Sequence, residues 1–208
     1  LKIVPENKAQ KTTSLFFEQL DTIRKELEQL IFTFYTNDPA SKSEIEIILA
    51  YPGFFAIAIH RLANILFRLD TPILPRFFSE YAHSKTGIDI HPGATIGKNF
   101  YIDHGTGIII GETSIIGDNV KIYQGVTLGA FYVAKNLADK KRHPTIENNV
   151  TIYAGATILG GTTTIGENSV IGGNVWITES IEADSIVYQE NKPQVKKIKK
   201  EQHNNYII

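Results

Sequence analysis

Aliphatic residues recur every six positions through the central part of the chain. The positions are Ile90, Ile96, Ile102 and Ile108, then Ile110, Ile116, Ile122 and Leu128, then Ile146, Ile152 and Ile158, and finally Ile165, Ile171 and Ile177. A period of six fits neither an α-helix, at about 3.6 residues per turn, nor a single alternating strand. It is typical of a β-solenoid in which each hexapeptide is one short strand plus a turn, and three hexapeptides close one triangular coil. The repeated aliphatics then point inward and build a continuous core column.

The first part of the chain has the spacing of helices instead. Apolar residues three and four positions apart predict a helix from 14 to about 35, preceded by a frayed lead-in over 1–13. Asn37-Asp38-Pro39 ends this helix. Ser41 and Glu44 have the spacing of a capping box, in which a serine oxygen and a glutamate satisfy each other's exposed amides. They predict the start of a short second helix.

Two prolines divide the remaining helices. Pro52, followed by glycine, ends the short helix at Tyr51, and Pro72 separates a helix at 54–69 from a last one at 74–86. We therefore expect an α+β chain with three parts, which are an N-terminal all-α helical domain at 1–86, a parallel β-solenoid at 87–185 and a C-terminal tail at 186–208.

The six-residue period slips at three places. Two residues are added between Ile102 and Ile110, and one between Ile158 and Ile165. A loop at 129–145 interrupts the repeat altogether. Because insertions in a solenoid lie on its outside, these are the places where binding residues are expected.

Composition narrows the class of protein. The net charge is −1, which argues against general binding to nucleic acid or to a membrane surface. There is no cysteine, so thiolate zinc sites and a cysteine nucleophile are excluded, and no metal ligand set is identified. No apolar run approaches the roughly 18 residues of a membrane span. We expect a cytoplasmic protein, and residues preceding Leu1, since the chain contains no methionine.

A histidine lies at the first slip. His104 is flanked by Asp103 and Gly105, in a turn exposed enough to meet a substrate, and histidine titrates near working pH. Asp89 precedes it by fifteen residues, close to one coil, and stacked coils approach within roughly 5 Å. An Asp89 carboxylate could therefore fix the tautomer of the ring and stabilise its imidazolium form. The residues alone also allow a structural His104 and an Asp89 that only caps a turn.

Arg142 and His143 stand at the end of the interrupting loop. Side by side they suit a carboxylate ligand, because a guanidinium offers a bidentate fork. An Arg-His pair in a loop is also common as plain surface, and Asp38-Pro39 at a helix break is a common turn. We expect the tail at 186–208 to be exposed to solvent, because it carries a cluster of lysines at Lys192, Lys196, Lys197, Lys199 and Lys200.

Several runs of residues closely resemble the serine O-acetyltransferase family. They are Gly87-Ile-Asp-Ile-His-Pro-Gly-Ala-Thr-Ile-Gly97, Ile102-Asp-His-Gly-Thr-Gly107, Ile110-Gly-Glu-Thr113, Tyr123-Gln-Gly-Val-Thr-Leu-Gly129 and Arg142-His-Pro144. The resemblance covers about 38–180, including Tyr51-Pro-Gly53. It implies a left-handed parallel β-helix behind a helical domain. It also implies an enzyme that moves acetyl from acetyl-CoA to the L-serine hydroxyl, the first step of cysteine biosynthesis.

The resemblance assigns roles to single residues of the serine site. It implies that His104 is the general base and Asp89 its dyad partner. The serine ammonium would be held by Asp103 and Asp38, and the serine carboxylate by Arg142 and His143. No covalent enzyme intermediate is implied, which suits a chain without cysteine.

Acetyl-CoA is implied as a co-substrate, with no tightly bound cofactor. It would lie in a groove between two solenoids, which implies a homotrimer or a dimer of trimers, and would contact Gly129, Ala130, Ala154 and Gly155. The family usually has Gly-Gly-Thr-Gly where this chain has Gly129-Ala-Phe-Tyr132, and Gly-x-Pro-Ala where it has Asn191-Lys-Pro-Gln194. The end at Ile208 resembles family tails that enter O-acetylserine sulfhydrylase, so that enzyme is a predicted partner.

Three other functions known for this kind of solenoid fit the polar residues of the sequence less well. A sister acetyltransferase acting on a sugar or another hydroxyl compound would share the histidine base but lack the Asp38, Asp103 and Arg142-His143 set. A γ-type carbonic anhydrase needs three histidines that converge on zinc, two of them a few positions apart, whereas His91, His104 and His143 are widely spread. A purely structural solenoid would not need polar residues at the slips.

Overall fold

The computed structural model describes residues 4–131 and 140–190. Four helices come first, which are α1 (Glu6–Asn37), α2 (Glu44–Ala50), α3 (Pro52–Arg68) and α4 (Leu74–Thr86). Short strands follow, which are β1 (Asp89–Ile90), β2 (Thr95–Ile96), β3 (Tyr101–Asp103), β4 (Ile109–Ile110), β5 (Ile115–Ile116), β6 (Lys121–Tyr123), β7 (Thr127–Gly129), β8 (Thr145–Ile146), β9 (Thr151–Ile152), β10 (Thr157–Leu159), β11 (Thr164–Ile165), β12 (Val170–Ile171), β13 (Trp176–Ile177) and β14 (Ile186–Val187). The predicted α+β fold class, a helical domain followed by a parallel β-helix, is confirmed.

The strands form the three faces of a triangular prism. The first face has the order β1-β4-β7-β10-β13, the second β2-β5-β8-β11 and the third β3-β6-β9-β12-β14, with every pair parallel. The chain runs from the first face to the second, then to the third, and back to the first one coil higher. Three edges result, here named the first-to-second, second-to-third and third-to-first edges.

The inward column of aliphatics is confirmed, because every residue of the six-residue repeat is buried, and most are fully inaccessible. The slips are confirmed by the strand register. Asp89 pairs with Ile109, twenty residues on, whereas Ile109 pairs with Thr127 after eighteen. Thr157 pairs with Trp176 after nineteen, which accounts for the single extra residue. The added residues therefore lie at edges and leave the core column continuous.

An asparagine ladder stiffens the second-to-third edge. Asn99, Asn119, Asn149, Asn168 and Asp184 all have φ between 54° and 61°, in the left-handed region that asparagine tolerates better than most residues. Each asparagine side-chain amide donates to the side-chain oxygen of the next residue in the stack, at 2.9 to 3.1 Å. The ladder joins successive coils without using the core.

We expect Asn149→Ala to lower the free energy of unfolding by about 2 kcal/mol, because alanine disfavours positive φ and removes two ladder hydrogen bonds. Asn149→Gly keeps the backbone conformation and loses only the ladder, so it should cost about half as much. Urea unfolding of both variants measures the difference. A glycine variant less stable than the alanine variant would contradict this account of the edge.

Three helix predictions need correction. Helix α1 begins at Glu6 rather than 14, so residues 6–13 are not a frayed lead-in. The negative charge of Glu6 stabilises the N-terminal end of the helix, where the helix dipole is positive. The capping serine of α2 is Ser43, whose Oγ accepts from the Glu46 backbone amide at 3.3 Å, and not Ser41. Pro52 begins α3, where its missing N–H costs nothing, as well as ending α2.

The helical domain is packed onto the first coil of the solenoid. The Phe34 ring of α1 lies 4.8 Å from that of Tyr101 on β3, and Arg61 of α3 donates to the carbonyl oxygens of Ile96 and Gly97. This packing brings the end of α1 to the third-to-first edge. Among the described residues no single helix could span a membrane, although α2 and α3 pass that test as a pair bent by 72°.

Candidate active site

His104 projects from the third-to-first edge at the two-residue slip. Its φ is +59°, an unusual value outside glycine, and Gly105 (φ +100°) and Gly107 (φ +80°) complete the turn. The φ of Gly105 is strained for residues with a side chain, and a Cβ there would also lie 2.9 Å from Ile102 Cγ2 and 2.5 Å from Ile88 Cδ1, so glycine is strongly favoured at this position. The result is an imidazole side chain that is 75% exposed. Strained backbone of this kind costs about 1–3 kcal/mol and is often found at functional sites.

Two carboxylates lie close to this histidine. Asp103 Oδ1 is 3.8 Å from His104 Nε2. Asp38 belongs to the break after α1, where the Tyr51 hydroxyl donates to Asp38 Oδ2 at 2.6 Å and the Ala40 amide donates to Oδ1 at 2.8 Å. The Tyr51 hydrogen bond, then the Ala40 amide and the nearby His104, lower the pKa of Asp38, so that carboxyl stays ionised.

Tyrosines surround these carboxylates. The hydrogen bond to Asp38, with some burial, raises the pKa of Tyr51 to about 12. Burial, together with Asp103 and Asp38, raises the pKa of Tyr101 as well. Both phenols therefore stay protonated, and the negative charge of the cluster remains on the two aspartates. Such a cluster can hold a cation such as an ammonium group.

Asp89 lies at the start of β1, half-buried, with its backbone amide bonded to the Ile108 carbonyl at 2.9 Å. Within residues 4–131 and 140–190 neither a hydrogen bond nor an ion pair joins Asp89 to His104. Among the described residues, the carboxylate within ion-pair distance of His104 is that of Asp103. The Asp89 dyad therefore stays a prediction.

Arg142 and His143 lie on the first-to-second edge. Arg142 forms an ion pair with Glu112, and the Thr113 hydroxyl oxygen accepts from the Arg142 and His143 backbone amides at 2.9 and 3.0 Å. His143 Nδ1 in turn accepts from the Thr113 amide at 3.1 Å. Burial, then the adjacent Arg142, lowers the pKa of His143 to about 4, so its ring is neutral at pH 7.

His143 is only 8% exposed, and its ring lies directly against Gly111, where a Cβ would overlap it. Within the single chain, His143 therefore fixes the end of the 129–145 loop to the coil below. Arg142 is half-buried, with its side chain 20% exposed beside Glu112. The arrangement presents a guanidinium of fixed position at this edge.

The two groups flank the same face and do not meet within one chain. His104 comes before β4 of the first face, and Glu112, which pairs with Arg142, follows it. The four residues from 108 to 111 span about 13 Å, at roughly 3.3 Å per residue. One copy of the chain therefore presents the carboxylate and histidine group at one edge and the arginine group at the other.

The residues expected to contact CoA divide in the same way. Gly129 and Ala130 lie at the first-to-second edge, and Ala154 and Gly155 at the third-to-first edge. Residues 132–139 of the loop, the turn at 191–194, the lysines of the tail and Ile208 lie outside the described residues.

Several residues of the site were not predicted from the sequence. Tyr51 belongs to a helix break and to a run that resembles the family, but nothing in its spacing predicts a bond to Asp38. Glu112 and Thr113 belong to a run that resembles the family, but the resemblance assigns them no role. Their contacts with Arg142 and His143 depend on the stacking of coils about thirty residues apart.

The relatives found by sequence and those found by structure indicate the same family. No protein-family model matches the chain. A plasmid-encoded serine acetyltransferase of Synechococcus elongatus is 50% identical over 186 residues, which are 87% of this chain and 58% of that protein. A crystal structure of serine acetyltransferase isoform 3 from Entamoeba histolytica, in complex with cysteine, superposes with a TM-score of 0.85 and 45% identity, covering 93% of this chain and 68% of that one. The serine acetyltransferase of Neisseria gonorrhoeae in complex with serine gives a TM-score of 0.77 at 32% identity, over 88% and 73%.

A helical domain in front of a parallel β-solenoid, with a histidine and an Arg-His pair on its edges, places this chain among the β-helix acyltransferases. Within that class, the chain belongs to the serine acetyltransferase family. It spans less than two thirds of the length of the curated relatives that it matches, for example 58% of the Synechococcus elongatus and Bacillus subtilis proteins.

Proposed function

We propose that the protein transfers the acetyl group of acetyl-CoA to the hydroxyl of L-serine, giving O-acetyl-L-serine and CoA. One observation carries the proposal. Asp38, Asp103 and His104 form an anionic group with a base at one edge of the first face, and Arg142 is fixed at the other edge. Together they complement an amino acid that carries an ammonium, a carboxylate and a nucleophilic hydroxyl.

His104 would act as the general base. Its ring would accept the serine hydroxyl proton while the oxygen attacks the thioester carbonyl. The C–S bond then breaks as the tetrahedral intermediate collapses, and the imidazolium returns the proton to the CoA thiolate. Asp89 would stabilise the imidazolium in the assembled site. Serine needs such a base because its hydroxyl is weakly nucleophilic while protonated.

The zwitterion clamp would fix the substrate for this attack. Asp38, kept ionised by Tyr51, and Asp103 would bind the ammonium, while Arg142 and the neutral His143 would bind the carboxylate. Holding both ends places the hydroxyl beside His104. Positioning of this kind supplies a large part of the rate in bimolecular reactions.

The division of the site between two edges supports a trimer. If three copies turn their first faces towards a threefold axis, the third-to-first edge of each copy lies beside the first-to-second edge of the next. His104 of one copy then meets Arg142 of its neighbour. Apolar side chains on the outer surface of the first face favour this arrangement, because Ile109 is 46% exposed and Trp176 69% exposed in the single chain. A dimer of two such trimers would be built through the helical domains.

Acetyl-CoA would lie in the groove between neighbouring solenoids. A column of glycines with positive φ, made of Gly87, Gly107, Gly125 and Gly155, follows the third-to-first edge beside His104. Gly125 and Gly155 are stacked so that a Cβ on one would lie 3.5 Å from the Cα of the other. A column of positions without side chains lets a long, thin ligand approach the backbone. Gly129 and Ala130 of the neighbouring copy would form the opposite wall.

The tail would bind O-acetylserine sulfhydrylase through Ile208, as its resemblance to family tails implies. We also propose that the protein works in the cytoplasm. A peptide of the last ten residues should bind the purified sulfhydrylase, and a peptide without Ile208 should not. Equal binding of both peptides would disprove the role of the terminal residue.

The test of the proposed function is release of the CoA thiol from acetyl-CoA with L-serine and with a panel of sugars and other amino acids. We expect L-serine to be the preferred acceptor. The alternative, a sister enzyme that acetylates a sugar or another hydroxyl compound, predicts a sugar as the better acceptor. If thiol release with L-serine were no faster than with a sugar, the assignment would be disproved.

Tyr51 gives a sharper test of the ammonium site. We expect Tyr51→Phe to raise KM for L-serine about tenfold with little change in kcat, because it removes one hydrogen bond from a charged carboxylate. Tyr188→Phe, at an exposed tyrosine far from the cluster, is the matched control. Initial rates over a range of serine concentrations separate the two constants, and an unchanged KM would rule out the role of Tyr51.

A further inference from the structure

A group of metal-ligating side chains joins Asp89, the proposed partner of the base, to two residues that have no place in the transfer reaction. Glu80 and His83 project from the last turns of α4, and Asp89 lies at the start of β1. One ligand atom of each lies within 4.8 Å of the others. Glu80 and His83 are exposed and Asp89 is half-buried, so the group opens to solvent.

The backbone holds these three residues in a fixed relation. The Ser79 hydroxyl, itself buried, donates to the Ile90 carbonyl at 2.9 Å and ties α4 to β1. Gly87 ends α4 with φ +69° and turns the chain directly into the strand. Glu80, next to Ser79, and Asp89, next to Ile90, are thereby kept in place, and His83 lies about one turn further along the same helix. A site that is preorganised in this way does not have to order a loop when it binds a ligand.

The geometry of the pair on the helix suits a transition metal. Glu80 and His83 have the Glu-x-x-His spacing of metal-binding helices, and Nδ1 of His83 lies 3.5 Å from Oε2 of Glu80. Two ligands at about 2.1 Å from a tetrahedral Zn²⁺ are about 3.4 Å apart, so this pair needs almost no movement. Glu80 uses its other oxygen for Arg76, at 2.6 Å, which orients the carboxylate and leaves Oε2 to the metal. One imidazole and two carboxylates are donors that Zn²⁺ accepts, whereas Mg²⁺ and Ca²⁺ prefer oxygen alone.

We propose that Glu80, His83 and Asp89 bind a divalent transition-metal cation of the Zn²⁺ class, and that its binding inhibits acetyl transfer. The inhibition rests on the proposed function, in which Asp89 supports His104. A carboxylate that coordinates a dication no longer offers its charge to the imidazolium, so the metal and the catalytic role of Asp89 exclude each other. The metal thus acts as a switch on the base, and it does not compete for the serine clamp.

The binding test uses the whole chain of 208 residues and Zn²⁺ alone, and it does not depend on activity. Competition with a metal indicator should show one site per chain that Glu80→Gln and His83→Ala both lose. Both residues are exposed on a helix, so the variants should keep the wild-type circular dichroism. Glu44→Gln, at an exposed carboxylate of α2, is the matched control for Glu80→Gln and should keep the site. Binding unchanged in both helix variants would overturn the proposed site.

The inhibition test follows thiol release with and without Zn²⁺. We expect saturating Zn²⁺ to lower kcat about tenfold or more in the wild type, chelator to restore it, and His83→Ala to keep its rate in both conditions. If Zn²⁺ bound at this site without changing kcat, the proposed inhibition would be disproved. A protein without any serine acetylation would refute the proposed function, whereas the binding test would still decide the metal site.

Discussion

His104→Ala should lower kcat by about 10²- to 10⁴-fold, the usual contribution of a general base. The side chain is exposed at an edge of the solenoid and carries none of the core, so stability should change little. Alanine at φ +59° is more strained than histidine, which makes His104→Asn a useful second variant, since asparagine tolerates this conformation. Both variants should keep KM for serine within a few fold, because the ammonium and carboxylate clamps remain.

The initial rate of thiol release at saturating concentrations of both substrates measures the fall in kcat. His83→Ala, assayed with chelator, is the control for removal of an exposed histidine near the same edge. If both His104 variants retained kcat within twofold of the wild type, His104 would not be the base, although the family assignment would stand.

Arg142→Ala should lower kcat/KM for L-serine by about 10²-fold, while KM for acetyl-CoA stays the same. The loss has a physical origin in the bidentate pairing of a guanidinium with a carboxylate, which is worth about 1.5–3 kcal/mol when the partners are partly buried. Arg142→Lys keeps the charge but not the planar fork, so it should recover only part of the loss. Glu112→Gln removes the ion-pair partner of Arg142 and should fall between the two.

Lys98→Ala, which removes an exposed cation at the second-to-third edge, is the control for a general change of charge. The serine ester or amide, which lacks the carboxylate, gives a further check, because Arg142→Ala should not affect its turnover. An Arg142→Ala variant with unchanged serine kinetics would contradict the clamp.

The solenoid was largely predictable because its core obeys one rule. Each inward position is an aliphatic in a strand with a short fixed period, so local sequence determines burial. The slips could be counted for the same reason, and the strand register confirms the extra residues before Ile110 and before Ile165. The family resemblance added the handedness and the roles of polar residues.

The start of the helical domain was harder to predict. The first two turns of α1 carry few apolar residues, which leaves no periodic signal, and they are joined to the rest of the domain by a contact between distant residues, the ion pair of Lys8 with Asp70. Ser41 and Ser43 each have a glutamate three residues later, and only the direction of the chain after Pro39 selects the second. Motif spacing alone could not distinguish them.

The site was predictable in its residues but not in its contacts. The bond between Tyr51 and Asp38 depends on how α1, α2 and α3 meet, and the burial of His143 depends on Gly111 in the coil below. Neither follows from residues close in the sequence. The placement of His104 and Arg142 on opposite edges of one face became evident only from the strand order.

The most direct test of a site shared between copies is complementation of two inactive variants. His104→Ala and Arg142→Ala chains with different tags are co-expressed, and oligomers that carry both tags are purified and assayed with L-serine and acetyl-CoA. In each mixed trimer one of three sites joins an intact His104 to an intact Arg142, so we expect about a third of the wild-type activity. Mixed oligomers no more active than the separate variants would contradict the account.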